Sequence, residues 1–325
     1  MVLFLSMVID SMSLPKQRLA VIIPTLDGGE VWLRCLNALR KQVPQLDCVM
    51  IIDSGSIDGT DKAAQEIGYE VIRITKGEFD HGGTRQVAAE RLEEFDVLVY
   101  LTQDAVLVSP DALAQLVAPF VDRRVGATYG RQLPRLGSSA IEAHARLFNY
   151  PPQSNMRTLA DKSHLGIKVT FISNSFAAYR TEALMAVGGF PERLIMGEDM
   201  VVAARMLQAG WAVAYVAEAQ VWHSHGYTFI KEFRRYFDIG VMHQDQAWIL
   251  RDFGKPEGEG GRFVRSEIGY LIKRSPWLLP SAVIHTAVKY LGYKLGQRSQ
   301  TLPISINKRL SMHKSYWRSL TRPES

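Results

Sequence analysis

Cysteine is scarce. Cys35 and Cys48 are the only two in 325 residues, so no disulfide framework can form, and their spacing matches no metal-binding pattern. A reducing compartment is the expected setting. No stretch reaches the roughly twenty uninterrupted apolar residues of a membrane span. The start, MVLFLSMVIDSMSLPKQ, has no basic residue ahead of its short apolar run, which argues against a secretory signal; residues 1–17 are expected to form a tail. Internal repeats and low-complexity segments are missing too, which sets aside repeat arrays.

The rest of the composition, 47% apolar and 22% charged, is that of a folded soluble chain. Its length can bury the core of one large domain, or of a domain with an appendage. Charge is unevenly placed. The formal net charge is +5, yet residues 226–325 alone hold 17 Lys and Arg against 8 Asp and Glu. That basic end suits an anionic partner, a phospholipid surface or a nucleic acid, unless it is only a solvated face. No nucleic-acid-binding module is recognisable in it.

Apolar runs at 18–24 (RLAVIIP), 49–53 (VMIID), 71–75 (VIRIT) and 96–102 (DVLVYLT) alternate with segments of helical periodicity. This order predicts an α/β fold: a mostly parallel sheet with helices on both faces. Ligands of such sheets sit beyond the carboxyl ends of the strands. Four polar segments lie there: TLDGG, DSGSIDG, FDHGGTR and TQDA. Further on, a helix is expected around 141–148, one or two strands within 168–180, a helix over 198–208, and a strand AVAYV running into WHSHG. Beyond that the pattern is helical with breaks. The segment 281–296 (SAVIHTAVKYLGYKLG) suits either an amphipathic helix in a membrane interface or a core-packed helix. The expected units are an α/β domain over 18–240 and a helical, basic region over 241–325.

Several residues could carry chemistry. Asp53 ends an apolar strand, a costly place for a carboxylate that is neither paired nor bound. It is placed to accept hydrogen bonds from a base or ribose, with Asp58 serving the turn. Asp104 is a lone acid after a long apolar strand, a candidate ligand for a hard cation such as Mg²⁺ or Mn²⁺. His223 and His225, two apart on a strand, can face one site and complete that cation's shell. Glu198 and Asp199 open a helix; one acid can serve the helix dipole and the other can take a proton from a hydroxyl. In FDHGGTR, a helix starting near Thr84 would leave N–H groups at Gly82 and Gly83 free for a diphosphate, with Arg85 adding a charged fork. Asp80 and His81 could read hydroxyls or settle the loop. Together these parts describe displacement of a nucleotide diphosphate from a sugar carbon, with inversion.

In order and spacing, IIPTLDGG, IIDSGSIDGT, TQDA and GEDM resemble the family 2 glycosyltransferases, inverting enzymes of the GT-A fold. EFDHGGTRQ, TQDA, YGRQLP, FNYP, SNS, EDM, HSH and RYFDIG resemble bacterial rhamnosyltransferases of polysaccharide assembly. The likeness covers about residue 18 to the 240s. It implies that Thr25, Asp27, Asp53, Gly83, Arg85 and Gln103 border the nucleotide sugar. Asp104 with His223 or His225 would bind a divalent metal, and Asp199 would be the base. Asp80, His81, Asn174 and Glu198 would touch sugar or acceptor. The implied donor is dTDP-L-rhamnose, the implied acceptor a polyprenyl-diphosphate-linked saccharide, and the implied place the inner face of a bacterial cell membrane, reached from the cytoplasm. Another nucleotide sugar, such as a UDP-hexose, is the nearest alternative. A nucleotidyltransferase fits less well, because IIPTLDGGE lacks an early Gly-rich loop with basic residues. The sequence departs from the family pattern in three places: Gln103-Asp104, or Thr102-Gln103-Asp104, stands for the usual acid–x–acid motif, Asp27 stands for Asn, and Gln86 stands for Asn.

Overall fold

The computed structural model describes residues 17–319, so the expected amino-terminal tail lies outside them but for Gln17. The first half runs β1 (Leu19–Thr25), α1 (Gly29–Arg40), β2 (Cys48–Asp53), α2 (Thr60–Glu66), β3 (Glu70–Arg73), α3 (His81–Arg91), β4 (Val97–Leu101) and β5 (Val106–Leu107). Then come α4 (Ala112–Val117), β6 (Val125–Leu133), α5 (Ala140–Asn149), β7 (Asn155–Arg157), α6 (Lys162–Leu165), β8 (Phe176–Arg180), α7 (Thr181–Ala186), α8 (Glu198–Gln208) and β9 (Ala212–Trp222). Helices close the chain: α9 (Phe229–Asp245), α10 (Ala247–Phe253), α11 (Glu257–Arg274), α12 (Leu279–Gly296), α13 (Ile304–Leu310) and α14 (Lys314–Ser319).

The strands form one sheet in the order β3–β2–β1–β4–β8–β6–β9–β5, with β7 also on β9. β3, β2, β1 and β4 are parallel neighbours, as expected. β8 enters antiparallel between β4 and β6, β6 and β9 run parallel, and β5 and β7 oppose β9. Six of the nine strands therefore share a direction. Their carboxyl ends, and the amino end of β8, open on one edge of the sheet.

The apolar runs read as continuous because both sheet faces are covered. Ala20 and Ile22 of β1, with Leu98 and Tyr100 of β4, join Ala88 and Ala89 of α3 and Val202 and Met206 of α8. The alternate residues Val21, Ile23, Val99 and Leu101 join Trp32, Leu36 and Leu39 of α1 and Leu116 of α4. Each buried Val, Leu, Ile or Met among them stabilises the fold by about 1.5–3 kcal/mol relative to exposure.

Of the two strands considered for 168–180, only β8 forms. The Lys168 and Phe171 carbonyls are taken by the Arg157 guanidinium, and Thr170 Oγ1 donates to Ile167 O, which winds 166–170 into a tight helical turn. Residue 240, expected to end the α/β domain, sits inside α9. There Gly240, Gly292 and Gly296 let α9 and α12 touch backbone to backbone. A Cβ on Gly296 would lie 2.0 Å from Phe237 O, and one on Gly292 2.4 Å from Phe233 O. α12 is thus core-packed on one side, while Val283, Ile284, Tyr290 and Leu291 on its other side are exposed.

Candidate active site

The turn after β4 and the segment after β9 meet at the open edge. His223 Nε2 lies 3.4 Å from Asp104 Oδ1, and His225 Nε2 lies 3.6 Å from Asp104 Oδ2. The three ligand atoms lie within 4.8 Å of one another. This donor set fits one divalent cation with positions left for water or phosphate oxygens. Both histidines reach the cluster. Burial pushes both imidazoles below their ordinary value, His225 to about 4. Burial would raise the Asp104 carboxyl, but its contacts with His223 and then His225 outweigh it and hold it well below the carboxylate range. Neutral imidazole and ionised carboxylate are the forms that ligate metal.

Gln132, at the end of β6, orients this cluster, and sequence reading assigned it no role. Arg146 Nη1 donates to its Oε1 at 2.7 Å, which fixes the amide orientation. His223 Nδ1 must then be the protonated nitrogen where it meets the same Oε1 at 2.9 Å, leaving Nε2 to face Asp104. Arg135 is a second residue missed. Its Nη2 donates to the Asp104 carbonyl at 2.6 Å and to Oδ2 at 3.1 Å. Both stand in the YGRQLPR stretch, where a polar side chain ending an apolar strand was the available signal.

The acid pair lies alongside. Gly197, at φ +80°, occupies the N-cap position and turns the chain into α8 without a side-chain cap. The buried Glu198 meets Arg85 Nη1 and Asn174 Nδ2, each at 3.1 Å. Tyr179 OH donates to Asn174 Oδ1 at 2.8 Å and sets that amide. The Asn174 N–H donates to Asp199 Oδ2 at 3.1 Å, and the Met200 N–H to Oδ1 at 2.8 Å. Burial, and after it the Glu198 charge, raise the Asp199 carboxyl to about 7. Burial would raise Glu198 as well, but Arg85 and His81 outweigh it and keep Glu198 low.

The two centres are joined. Gln132 Nε2 donates to Ser173 Oγ at 3.0 Å, and the next residue, Asn174, holds both acids. The path from His223 to Asp199 thus runs through hydrogen bonds to Gln132 and Ser173, the peptide link to Asn174, and the Asn174 N–H.

Other expected residues are placed differently from their sequence reading. Asp53 is 2% exposed and spent on its own loop. It accepts from the Gly55 and Ser56 N–H groups and from the Thr25 and Ser56 hydroxyls, four donors in all. It shapes the turn, the task expected of Asp58 alone. Gln103 grips the Leu26 backbone from both ends of its amide, at 2.8 and 2.9 Å, and so pins the first loop. Asp27, at φ +45°, is left-handed and accepts from Ile57 N–H. The family's Asn at this position suits the same backbone, since Asn and Asp are the side chains that best tolerate it.

The FDHGGTR loop needs three corrections. α3 starts at His81, not near Thr84, because Asp80 caps it, accepting the Gly83 N–H at 2.6 Å. One donor expected for a diphosphate is therefore occupied. Gly82 serves close packing: a Cβ there would lie 1.7 Å from Pro191 O. Arg85 is buried, donating to His81 O at 2.7 Å and paired with Glu198 rather than left as an open fork. His81 meets His313, Nε2 to Nδ1, at 3.3 Å, so the segment before α14 reaches back to this loop.

Residues 15–237 match the family described as "Glycosyltransferase like family 2". The O-antigen chain rhamnosyltransferase RfbN of Salmonella typhimurium is 46% identical over 304 residues, covering 93% of this chain and 97% of that one. The O-antigen chain rhamnosyltransferase WbaN of Salmonella anatum is 47% identical over 301 residues, covering 92% and 96%. The solved mannosyltransferase PcManGT of Pyrobaculum calidifontis, in complex with GDP-Man and Mn²⁺, shares the fold, with a TM-score of 0.54 at 21% identity, covering 93% of this chain and 85% of that one. The chain belongs to glycosyltransferase family 2.

Proposed function

We propose that this glycosyltransferase moves L-rhamnose from dTDP-L-rhamnose to a lipid-linked or growing saccharide of O-antigen type, inverting the anomeric carbon. The observation that carries the chemistry is Asp199, a carboxyl raised to about 7 and linked through Asn174, Ser173 and Gln132 to the Asp104, His223 and His225 cluster. A base poised near neutrality is suited to deprotonating a hydroxyl. The acceptor oxygen attacks C1 of the donor sugar, and its proton passes to an Asp199 carboxylate oxygen. The C1–oxygen bond to the diphosphate breaks, and its electron pair leaves with dTDP. A divalent ion held by Asp104, His223 and His225, Mg²⁺ or Mn²⁺, would supply charge stabilisation to that leaving group. Arg135 adds a fixed positive charge beside the cluster.

Thr25, Asp27, Asp53 and Gln103 build the walls of the nucleotide pocket, and Gly83 and Arg85 brace the loop that closes it. Asn174 and Glu198 position the base rather than read the sugar. Asp80 and His81 hold the loop nearest the acceptor. Rhamnose is favoured because both relatives that span the chain are named for it. The basic carboxyl region would rest on the inner face of the cell membrane, where a polyprenyl-diphosphate-linked saccharide is presented. Donor choice is tested by thermal shift. Stabilisation by dTDP and dTDP-rhamnose above UDP and UDP-hexoses supports the reading, and the reverse order replaces rhamnose with a UDP-sugar.

A further inference from the structure

The outward side of α12 is an apolar stripe that no described residue covers. Ala282, Gly292, Tyr293 and Gly296 fall on the buried side. Val283, Ile284, Ala287, Tyr290, Leu291 and Leu295 fall on the opposite side at helical spacing, all exposed. From Val283 to Leu295 the stripe runs about 18 Å, at 1.5 Å per residue. At its amino end the chain turns from α11 to α12 at Trp277, which is 73% exposed, beside the exposed Ile272 of α11. Lys273 and Arg274 stand at that corner, and Arg298 follows the far end. α12 contains no acidic residue. No helix among the described residues is long and apolar enough to cross a membrane.

We infer that α12 and the Trp277 corner lie in the interface of an anionic phospholipid surface, the stripe against the acyl boundary and Lys273, Arg274 and Arg298 against headgroup phosphates. Three features select this occupant. An exposed apolar stripe of this length signals a partner. A tryptophan and a tyrosine among aliphatic residues match the mixed polarity of the headgroup layer. The flanking cations are uncompensated by acids on α12, which favours anionic lipid and disfavours a second copy of this chain carrying the same charges. α9, which carries α12 through the glycine contact, starts four residues after His225. This assignment rests on the reading of the acceptor as lipid-linked, and it says which element brings the site to that acceptor.

The test is flotation of the full chain with vesicles of phosphatidylcholine alone or with phosphatidylglycerol. Wild type, Ile284→Asp/Leu291→Asp, Trp277→Ser and the surface control Val121→Asp are compared. Transfer is measured in parallel on a short-chain, water-soluble saccharide diphosphate and on the polyprenyl form. The expected result is binding to the anionic vesicles that weakens with salt. It falls about tenfold or more in the α12 double variant and several-fold in Trp277→Ser, and is unchanged in Val121→Asp. The double variant keeps its rate on the water-soluble acceptor and loses it on the vesicle-borne one. Wild-type vesicle binding by the double variant overturns the assignment. So does transfer to vesicle-borne acceptor by a wild type that binds no vesicle. Binding lost on substitution, with no transfer to any polyprenyl-linked acceptor by wild type, upholds the docking face and overturns the acceptor reading instead.

Discussion

Glu198→Gln probes the least solvated charge pair of the site. The Glu198 and Arg85 side chains are 7% and 6% exposed, so water cannot take the place of a lost partner. The substitution keeps shape and an acceptor oxygen for Arg85 but removes the charge, leaving the buried guanidinium with neutral acceptors alone, the new amide oxygen and His81 O. A buried pair broken on one side loses about 3–5 kcal/mol. At about 2–4 °C per kcal/mol, the unfolding midpoint should fall by about 6–20 °C. Arg85→Met should fall in the same range, since Glu198 then retains only the Asn174 amide. The double variant Arg85→Met/Glu198→Gln removes both charges and should be less destabilised than the sum of the singles by about 2–3 kcal/mol. Thermal and urea unfolding of the four chains, followed by circular dichroism, measures this. Losses that add to within about 0.5 kcal/mol would refute the pairing as an energetic unit. Glu198→Gln has a second consequence. It deletes one of the two causes that raise Asp199, so the acid limb of kcat should move to lower pH.

Three further outcomes are expected. Asp199 must be ionised to take a proton, so kcat should climb about tenfold per pH unit below about 7 and level above it; a flat profile from about pH 5.5 to 8 would count against it as the base. The sign for stability is opposite. Folded Asp199 holds a proton that the unfolded chain has released, so its favourable contribution is complete at low pH and lost as pH rises toward 7, and Asp199→Asn should flatten that part of the stability curve. Gln132→Met should weaken Mn²⁺ binding about 10- to 100-fold by electron paramagnetic resonance of the free ion, while Gln132→Glu, which keeps an acceptor for His223, should retain more of it. Gly82→Ala forces a methyl against Pro191 O and should destabilise by about 1–3 kcal/mol, whereas Gly258→Ala on α11, whose methyl would meet nothing, should be neutral or slightly stabilising.

The strands of the parallel half were legible because burial on both faces makes each a short unbroken apolar run, and a polar residue at its end marks the ligand edge. That reasoning singled out Asp104, His223 and His225, which meet at that edge. It did not reveal their partnerships. His223 meets Gln132 across 91 residues of sequence, and Gln132 meets Ser173 across 41, through the neighbours β8, β6 and β9, whose order no local pattern encodes. Asp53 and Arg85 show the same limit from the other side. Each carries the charge and position of a ligand contact, and each is satisfied by protein groups that only the folded chain brings near. The glycine pair at 82–83 signalled an anion-binding turn. Its first member is instead required by Pro191, and its second donates to Asp80.

The central claim is rhamnosyl transfer with Asp199 as base, and its most direct test is a transfer assay with dTDP-L-rhamnose and a polyprenyl-diphosphate saccharide, read by mass spectrometry and by the anomeric NMR signal. Wild type should add one deoxyhexose with inverted configuration, and Asp199→Asn should bind dTDP normally while adding none. Transfer only from a UDP-hexose, retention of configuration, or near-normal turnover by Asp199→Asn would contradict it.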